Sequence, residues 1–366
     1  MKTRILARHH VGRIVAEVGL DTLMDEMIDK MTAAIEQYDE TRTLVRPRDG
    51  FHYTEPDVGL LEWMPVMHTA ERTTIKVVGY HPSNPTRRNL PTILSTVSVY
   101  DTATGHLAGL ADGTFLTALR TGAASAVASR ILARPDSRVL GLVGCGAQSI
   151  TQLHAMLRSF PIEQVLIHDA SAANLASLPG RAAAVLPPTV DLSVAPLDLL
   201  VQTVDIMCTS TSIGIGKGPV FDDLPTRSWL HVNAVGSDFP GKVELPRSFL
   251  SRSLVCPDHR EQAMREGECQ QLAPEEIGPS LIELVAAADV YRDARNRTTV
   301  FDSTGWALED RVGIQLLIDH ADRLGLGLLV ELENIGVDPL DPYRFERPLE
   351  EPAAPVDEVG RLVAEG

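Results

Sequence analysis

Apolar residues three and four apart run from Val11, Ile14, Val15 and Val18 through Met27 and Met31 to Ile35, and this spacing predicts a helical stretch whose methionines face a core. From about Thr43 to Gly109 the pattern shortens to β-branched runs broken by Gly, Pro and Asn. Thr73-Thr74-Ile75-Lys76-Val77-Val78-Gly79-Tyr80 and Leu94-Ser95-Thr96-Val97-Ser98-Val99-Tyr100 are the clearest, and they predict a sheet domain. Between apolar runs, Asp101-Thr102-Ala103-Thr104-Gly105-His106 predicts a hairpin turn, with Asp supplying a local hydrogen bond and Gly a permissive backbone. Small residues dominate 117–133 and predict a helix packed closely against a neighbour. Strands at 138–143, 164–168, 204–209 and 229–235 then alternate with a helical segment at 150–158. That alternation predicts a parallel, doubly wound sheet inserted into the first domain, to which a helical pattern at 312–318 could return the chain. The tail from Pro348, rich in Glu, Pro and Ala, reads as disordered.

Composition narrows the class. With 366 residues, 44% of them hydrophobic, the chain can bury the cores of two or three domains. Its formal charge of −16 opposes attraction to nucleic acid or to anionic membrane surfaces. No apolar run approaches a membrane span and the start lacks a secretory signal pattern, so a cytoplasmic protein is expected. Cys145, Cys208, Cys256 and Cys269 form no CxxC pair and read as reduced structural thiols. Cys256, His259 and Cys269 lack an evident fourth ligand, so no metal is assigned.

Gly144-Cys145-Gly146-Ala147-Gln148-Ser149 follows a strand and opens a helix. There glycine permits a tight turn and close backbone approach to a pyrophosphate at a helix N-terminus, and Ser149 stands where the strict fingerprint has its third glycine. Asp169 ends the next strand, placed to accept hydrogen bonds from a ribose diol. The residues after it, Ala170-Ser171-Ala172-Ala173, include no cation for a 2′-phosphate, so NAD is expected rather than NADP.

Three charged residues stand in unusual settings. Lys76 lies inside an apolar strand pattern and Arg120 among small residues, which suits an anion, or alternatively an exposed strand face for Lys76 and a surface position or structural ion pair for Arg120. Asp238 lies just beyond an apolar strand, where ligands of open α/β sheets bind, although a loop carboxylate capping a turn or pairing with Lys242 reads the same way.

These segments, together with Glu62-Trp63-Met64-Pro65, Leu90-Pro91-Thr92-Ile93-Leu94, His231-Val232-Asn233-Ala234-Val235-Gly236, Arg265-Glu266-Gly267-Glu268-Cys269-Gln270-Gln271-Leu272 and Phe301-Asp302-Ser303-Thr304-Gly305, give the chain a resemblance to the ornithine cyclodeaminase/mu-crystallin family, most closely its lysine cyclodeaminase branch. The resemblance implies a Rossmann-type NAD-binding domain at 120–312, inserted into an α+β substrate-binding and dimerisation domain formed by 1–119 and 313–366 of a homodimer. It implies that Arg48, Lys76 and Arg120 hold an amino-acid carboxylate, that Glu62 places the substrate amines, and that Asp238 is the catalytic acid/base; Arg42 and Arg46 stand close to Arg48. It further implies cofactor contacts at Thr92, Thr121, Ser125, Ala147, Gln148, Thr209, Asn233, Val235, Lys242, Ser303 and Thr304, beside Gly144, Gly146 and Asp169. The chemistry implied is a redox-neutral cyclisation of a diamino acid, L-lysine to L-pipecolate and ammonia, in which NAD takes a hydride from Cα and returns it to the cyclic imine. Ser237-Asp238-Phe239-Pro240 departs from the lysine-branch pattern and keeps L-ornithine to L-proline open as the alternative. A ketimine reductase, an amino-acid dehydrogenase and a non-catalytic binding protein of crystallin type are further alternatives.

Overall fold

The computed structural model describes residues 1–333, 338–341 and 343; the expected disordered tail lies outside these. The first helical pattern folds as two helices, Arg8–Val18 and Leu20–Glu36, because Gly19 between them takes φ +87°, a left-handed conformation that ends the first helix. Met24, Met27 and Met31 are fully buried on the inner face of the second helix, as the spacing predicts. The turn at Asp101 closes on the Asp101 carboxylate, which accepts from the N–H groups of Ala103 and Thr104 at 3.1 and 2.9 Å, with Gly105 at φ +78°.

Two sheets organise the molecule. The eight-stranded sheet runs, in spatial order, Leu328–Val330, Thr3–Leu6, Leu107–Asp112, Ile93–Asp101, Arg72–Tyr80, Gly59–His68 and Thr43–Val45, with Asp49–Tyr53 also paired to Gly59–His68. Its neighbours are antiparallel except Thr3–Leu6 against Leu107–Asp112. The seven-stranded sheet is parallel throughout, in the order Asp191–Val194, Gln164–His168, Val139–Val143, Ile206–Thr209, His231–Ala234, Thr299–Asp302 and Leu254–Pro257. Successive strands leave Val139–Val143 first to one side and then to the other, so the topological switch point opens beside that strand's carboxyl end, where α/β sheets bind ligands. This is a Rossmann-like α/β fold.

Two long helices carry both expected domain boundaries within them, the first packed against both sheets and the second against the eight-stranded one. Thr114–Leu132 is buried on nearly every face, and Gly122 on it approaches the helix Ala147–Ser159 so closely that a Cβ there would sit 2.5 Å from the Thr151 carbonyl oxygen. The small residues at 117–133 therefore serve a helix–helix contact directly behind the glycine loop. The other helix, Ala307–Leu324, buries Glu309 and Asp310 in its first turn. Among the described residues no helix is long and apolar enough to cross a membrane.

Candidate active site

The glycine loop is shaped by its neighbours. Gly144 leaves the strand Val139–Val143 at φ +91°, and a side chain there would meet the Ser210 carbonyl oxygen at 2.7 Å. Gly146 precedes the helix Ala147–Ser159 with nothing within 4 Å of the place a Cβ would occupy, so bare backbone faces open space at a helix N-terminus. Asp169 stands beside it and accepts from the N–H groups of Cys145 at 2.6 Å and Ser171 at 2.7 Å. The open cradle, the helix N-terminus and the carboxylate at the following strand's end fit a dinucleotide.

In front of the switch point lies a cavity of about 710 Å³. Arg48, Glu62, Lys76, Arg120 and Asp238 all line it, joined by Thr121, Gln148, Val235, Lys242, Ser303 and Thr304. Alternation along Arg72–Tyr80 turns Thr74, Lys76 and Val78 inward, so Lys76 lies on the buried face and not on an exposed one. Its Nζ sits 2.8 and 3.0 Å from the two Asp310 carboxylate oxygens. Arg120 donates to Glu309 Oε2 at 2.5 Å and places Nε 3.2 Å from Asp310 Oδ1. Gly305, at φ +85°, leaves room for this guanidinium, since a Cβ there would lie 2.7 Å from Arg120 Nη1. Burial, with the Arg120 charge beside it, lowers the Lys76 ammonium to about 8 despite Asp310, and burial pushes Glu309 up to about 7 against the pull of Arg120. Two cations and two carboxylates thus balance in a dry corner that opens on the cavity.

Arg48 joins this corner to a second group of acids. Its Nη2 donates to the carbonyls of Thr304 and Gly305 at 2.6 and 2.9 Å, its Nε lies 3.0 Å from Glu266, and its Nη1 lies 3.7 Å from Glu62. Of Arg42, Arg46 and Arg48, only Arg48 lines this cavity, and the other two are exposed. Burial and the neighbouring Glu62 and Asp238 charges push Glu266 up to about 8, outweighing Arg48. Asp238 pairs with Lys242 at 3.0 Å, and Lys242 Nζ lies 4.6 Å above the Tyr80 ring. Of the two sequence readings of Asp238, the ion pair with Lys242 forms, and it forms on the cavity wall.

Several expected cofactor residues have their polar side-chain atoms engaged by, or buried within, the protein itself. Thr209 Oγ1 donates to the buried Glu244 at 2.6 Å, and Asn233 is enclosed with Ser129, His231 and Cys208. Thr121 Oγ1 donates to the Thr117 carbonyl, and Thr304 Oγ1 to Asp258 at 2.9 Å. Thr92 lies outside the cavity lining, with its carbonyl accepting from His81 N–H at 2.8 Å. Ser125 and Ser303 are buried with unpartnered Oγ atoms. Glu309, Asp310, Glu266 and Asp258 received no role from sequence, yet they hold Lys76, Arg120, Arg48 and the Thr304–Gly305 backbone. The signal available was a pair of acids inside the apolar helical run after Trp306. Among the described residues, no group of three or more His, Cys, Asp or Glu is arranged to hold a metal ion, and all four cysteines are buried and free.

Comparison with known proteins fits this geometry. The model of the ornithine cyclodeaminase/mu-crystallin family matches residues 8–323. The chain is 42% identical over 344 residues to L-lysine cyclodeaminase of Streptomyces rapamycinicus, covering 94% of this chain and 99% of that protein. A solved lysine cyclodeaminase, determined for recognition of L-lysine, L-ornithine and L-2,4-diaminobutyric acid, superposes with TM-score 0.91 at 45% identity, covering 94% of this chain and all of that one. An archaeal alanine dehydrogenase dimer with bound NAD superposes with TM-score 0.79 at 27% identity, covering 91% of this chain and all of that one.

Proposed function

The chain belongs to the ornithine cyclodeaminase/mu-crystallin family, and we propose that it is an NAD-dependent lysine cyclodeaminase converting L-lysine to L-pipecolate and ammonia. The observation that carries this reading is the single cavity that gathers Lys76, Arg120 and Arg48 with Glu62 and Asp238, beside the glycine loop. An α-amino acid with a distal amine needs that polarity: cations for the carboxylate, carboxylates for the amines. In this reading residues 120–312 carry the cofactor and contribute Arg120 and Asp238 to the substrate, 1–119 supply Arg48, Glu62 and Lys76, and 1–119 with the segment from 313 carry a homodimer contact. Exposed Phe51, Leu61 and Leu94 on the eight-stranded sheet support the contact, as does the dimeric archaeal neighbour. The cytoplasm is the proposed location.

Bound NAD would supply a reversible hydride acceptor, which lets an oxidation and a reduction at the substrate carbon cancel. Gly144, Gly146, Ala147, Gln148 and Asp169 would hold its pyrophosphate and ribose. Lys76 and Arg120 fix the substrate carboxylate, and because Asp310 and Glu309 already hold both cations, the clamp is preorganised before substrate arrives. Arg48 contributes Nη1, its Nη2 being held by the Thr304 and Gly305 carbonyls. Asp238 takes the proton from the distal ammonium so that the free amine closes the ring, and passes that proton to the departing α-amine, with Lys242 fixing the carboxylate's orientation beforehand. Glu62 receives the α-amine.

L-Ornithine fits the same clamp and is the second reading, since one methylene in an apolar wall such as Val58, Leu60, Met64 and Val78 discriminates by only about 1–3 kcal/mol. Chromatographic identification of the products from L-lysine and L-ornithine at equal concentration tests the proposal. Pipecolate formed with the higher kcat/KM supports it, and proline alone transfers the activity to ornithine.

A further inference from the structure

Ala170-Ser171-Ala172-Ala173 after Asp169 include no cation, but the fold brings one from twelve positions along. Arg181, near the end of the helix Ala172–Ala182, reaches back over its own helix, donating from Nε to Ser177 Oγ and from Nη2 to the Asn174 carbonyl, both at 3.2 Å. The same guanidinium donates to the Cys145 carbonyl at 2.6 Å and the Gly146 carbonyl at 3.2 Å. Asp169 acts on the opposite pole of the same residues: it accepts from the Cys145 N–H at 2.6 Å and from Asn174 Nδ2 at 3.2 Å. Carboxylate and guanidinium therefore share Cys145 and Asn174 as hydrogen-bond partners at the mouth of the glycine loop without pairing directly. Arg181 is exposed there, and its protein partners at the loop are neutral carbonyl oxygens.

We propose that Arg181 is a cofactor-specificity residue, forming a latent site for the 2′-phosphate of NADP that the Asp169 carboxylate keeps closed. This rests on the dinucleotide reading of the loop given above. A phosphate on the ribose 2′-oxygen would bring two negative charges to the place where Asp169 meets the ribose diol, and like-charge repulsion excludes it. Without the Asp169 charge the same phosphate meets a planar guanidinium fork. A charged acceptor binds that fork about twice as strongly as the neutral carbonyls it now holds, so the guanidinium can turn to it.

Fluorescence titration of the full-length protein with NADH and with NADPH tests this without any turnover. Asp169→Asn keeps an acceptor for the Cys145 N–H while removing the charge, and Asp169→Ser removes more of the side chain. Each should tighten NADPH binding by about tenfold or more, with a steep salt dependence. Adding Arg181→Met to either should abolish that gain while NADH affinity stays within about threefold of the Asp169 variant. Retention of the NADPH gain in the double variants would overturn the proposal, as would NADH binding in both Asp169 variants without any gain for NADPH. If the unaltered protein bound neither dinucleotide, the cofactor reading itself would fall, and this inference with it.

Discussion

Replacing Lys76 with methionine removes one charge from the clamp and little volume. In the structure Nζ is buried against Asp310, and Arg120 Nε remains 3.2 Å from the same carboxylate, so the acid keeps a cation when Lys76 is lost. What disappears is the ammonium available to the substrate carboxylate. A hydrogen bond to a charged group contributes about 1.5–3 kcal/mol, so kcat/KM for L-lysine should fall by roughly 10- to 150-fold, mostly through KM. The pH profile makes the test specific. Burial lowers the folded-state ammonium from 10.5 to about 8, so above pH 8 the clamp loses the Lys76 charge and kcat/KM should decline by about tenfold per pH unit toward the level of Lys76→Met. Lys76→Met should lack that limb, and a decline shared by both proteins would belong to the substrate instead. The stability sign follows from the same shift: between about pH 8 and 10.5 the unfolded chain binds the extra proton, so the unaltered protein gains stability relative to the variant as pH rises through that window. Initial rates of ammonia release from pH 6.5 to 10 measure the effect. An unchanged KM in the variant, or an identical alkaline limb, would refute the assignment of Lys76 to the carboxylate.

Asp238→Asn should bind NADH as the unaltered protein does while losing roughly 10²- to 10⁴-fold in turnover, and near-normal rates would remove the proton role from Asp238. Gly122→Ala should cost about 1–3 kcal/mol and weaken NADH binding, because its Cβ meets the Thr151 carbonyl oxygen at 2.5 Å; thermal unfolding with a midpoint equal to or above that of the unaltered protein would contradict the helix contact. Glu266, pushed up to about 8, keeps its proton in the folded state over pH 4.5–8 where the unfolded chain has lost it, so its contribution to stability falls as pH rises through that window. Thermal midpoints of Glu266→Gln should therefore decline less between pH 6 and 9, and parallel curves would show that Glu266 is ionised throughout.

Local patterns exposed the fold wherever one segment decided the outcome. The period-two run around Lys76, the strand–glycine–helix passage at 139–159 and the acid ending the next strand all express backbone requirements that neighbouring residues satisfy. The break at Gly19 was hidden because a single left-handed residue interrupts an otherwise continuous apolar stripe. The clamp was legible only by halves. Lys76 and Asp310 are 234 positions apart, and Arg120 and Glu309 are 189 apart, so the sequence displays the cations as anomalies while their partners look like ordinary helix-start acids. Asn233 shows the reverse case, a polar residue at a strand end whose side chain satisfies Ser129 and His231 in the interior. Arg181 escaped notice because a long side chain reaches back across its own helix, and reasoning from adjacent positions does not anticipate such reach.

The most direct test of the central claim is a stoichiometric one: incubate the purified protein with L-lysine and a trace of NAD, and follow ammonia, pipecolate and NADH together. Equal amounts of ammonia and pipecolate, many turnovers per NAD and no net NADH are the predicted result. Ammonia accompanied by accumulating NADH, or no product from a folded, dinucleotide-bound sample, would contradict it.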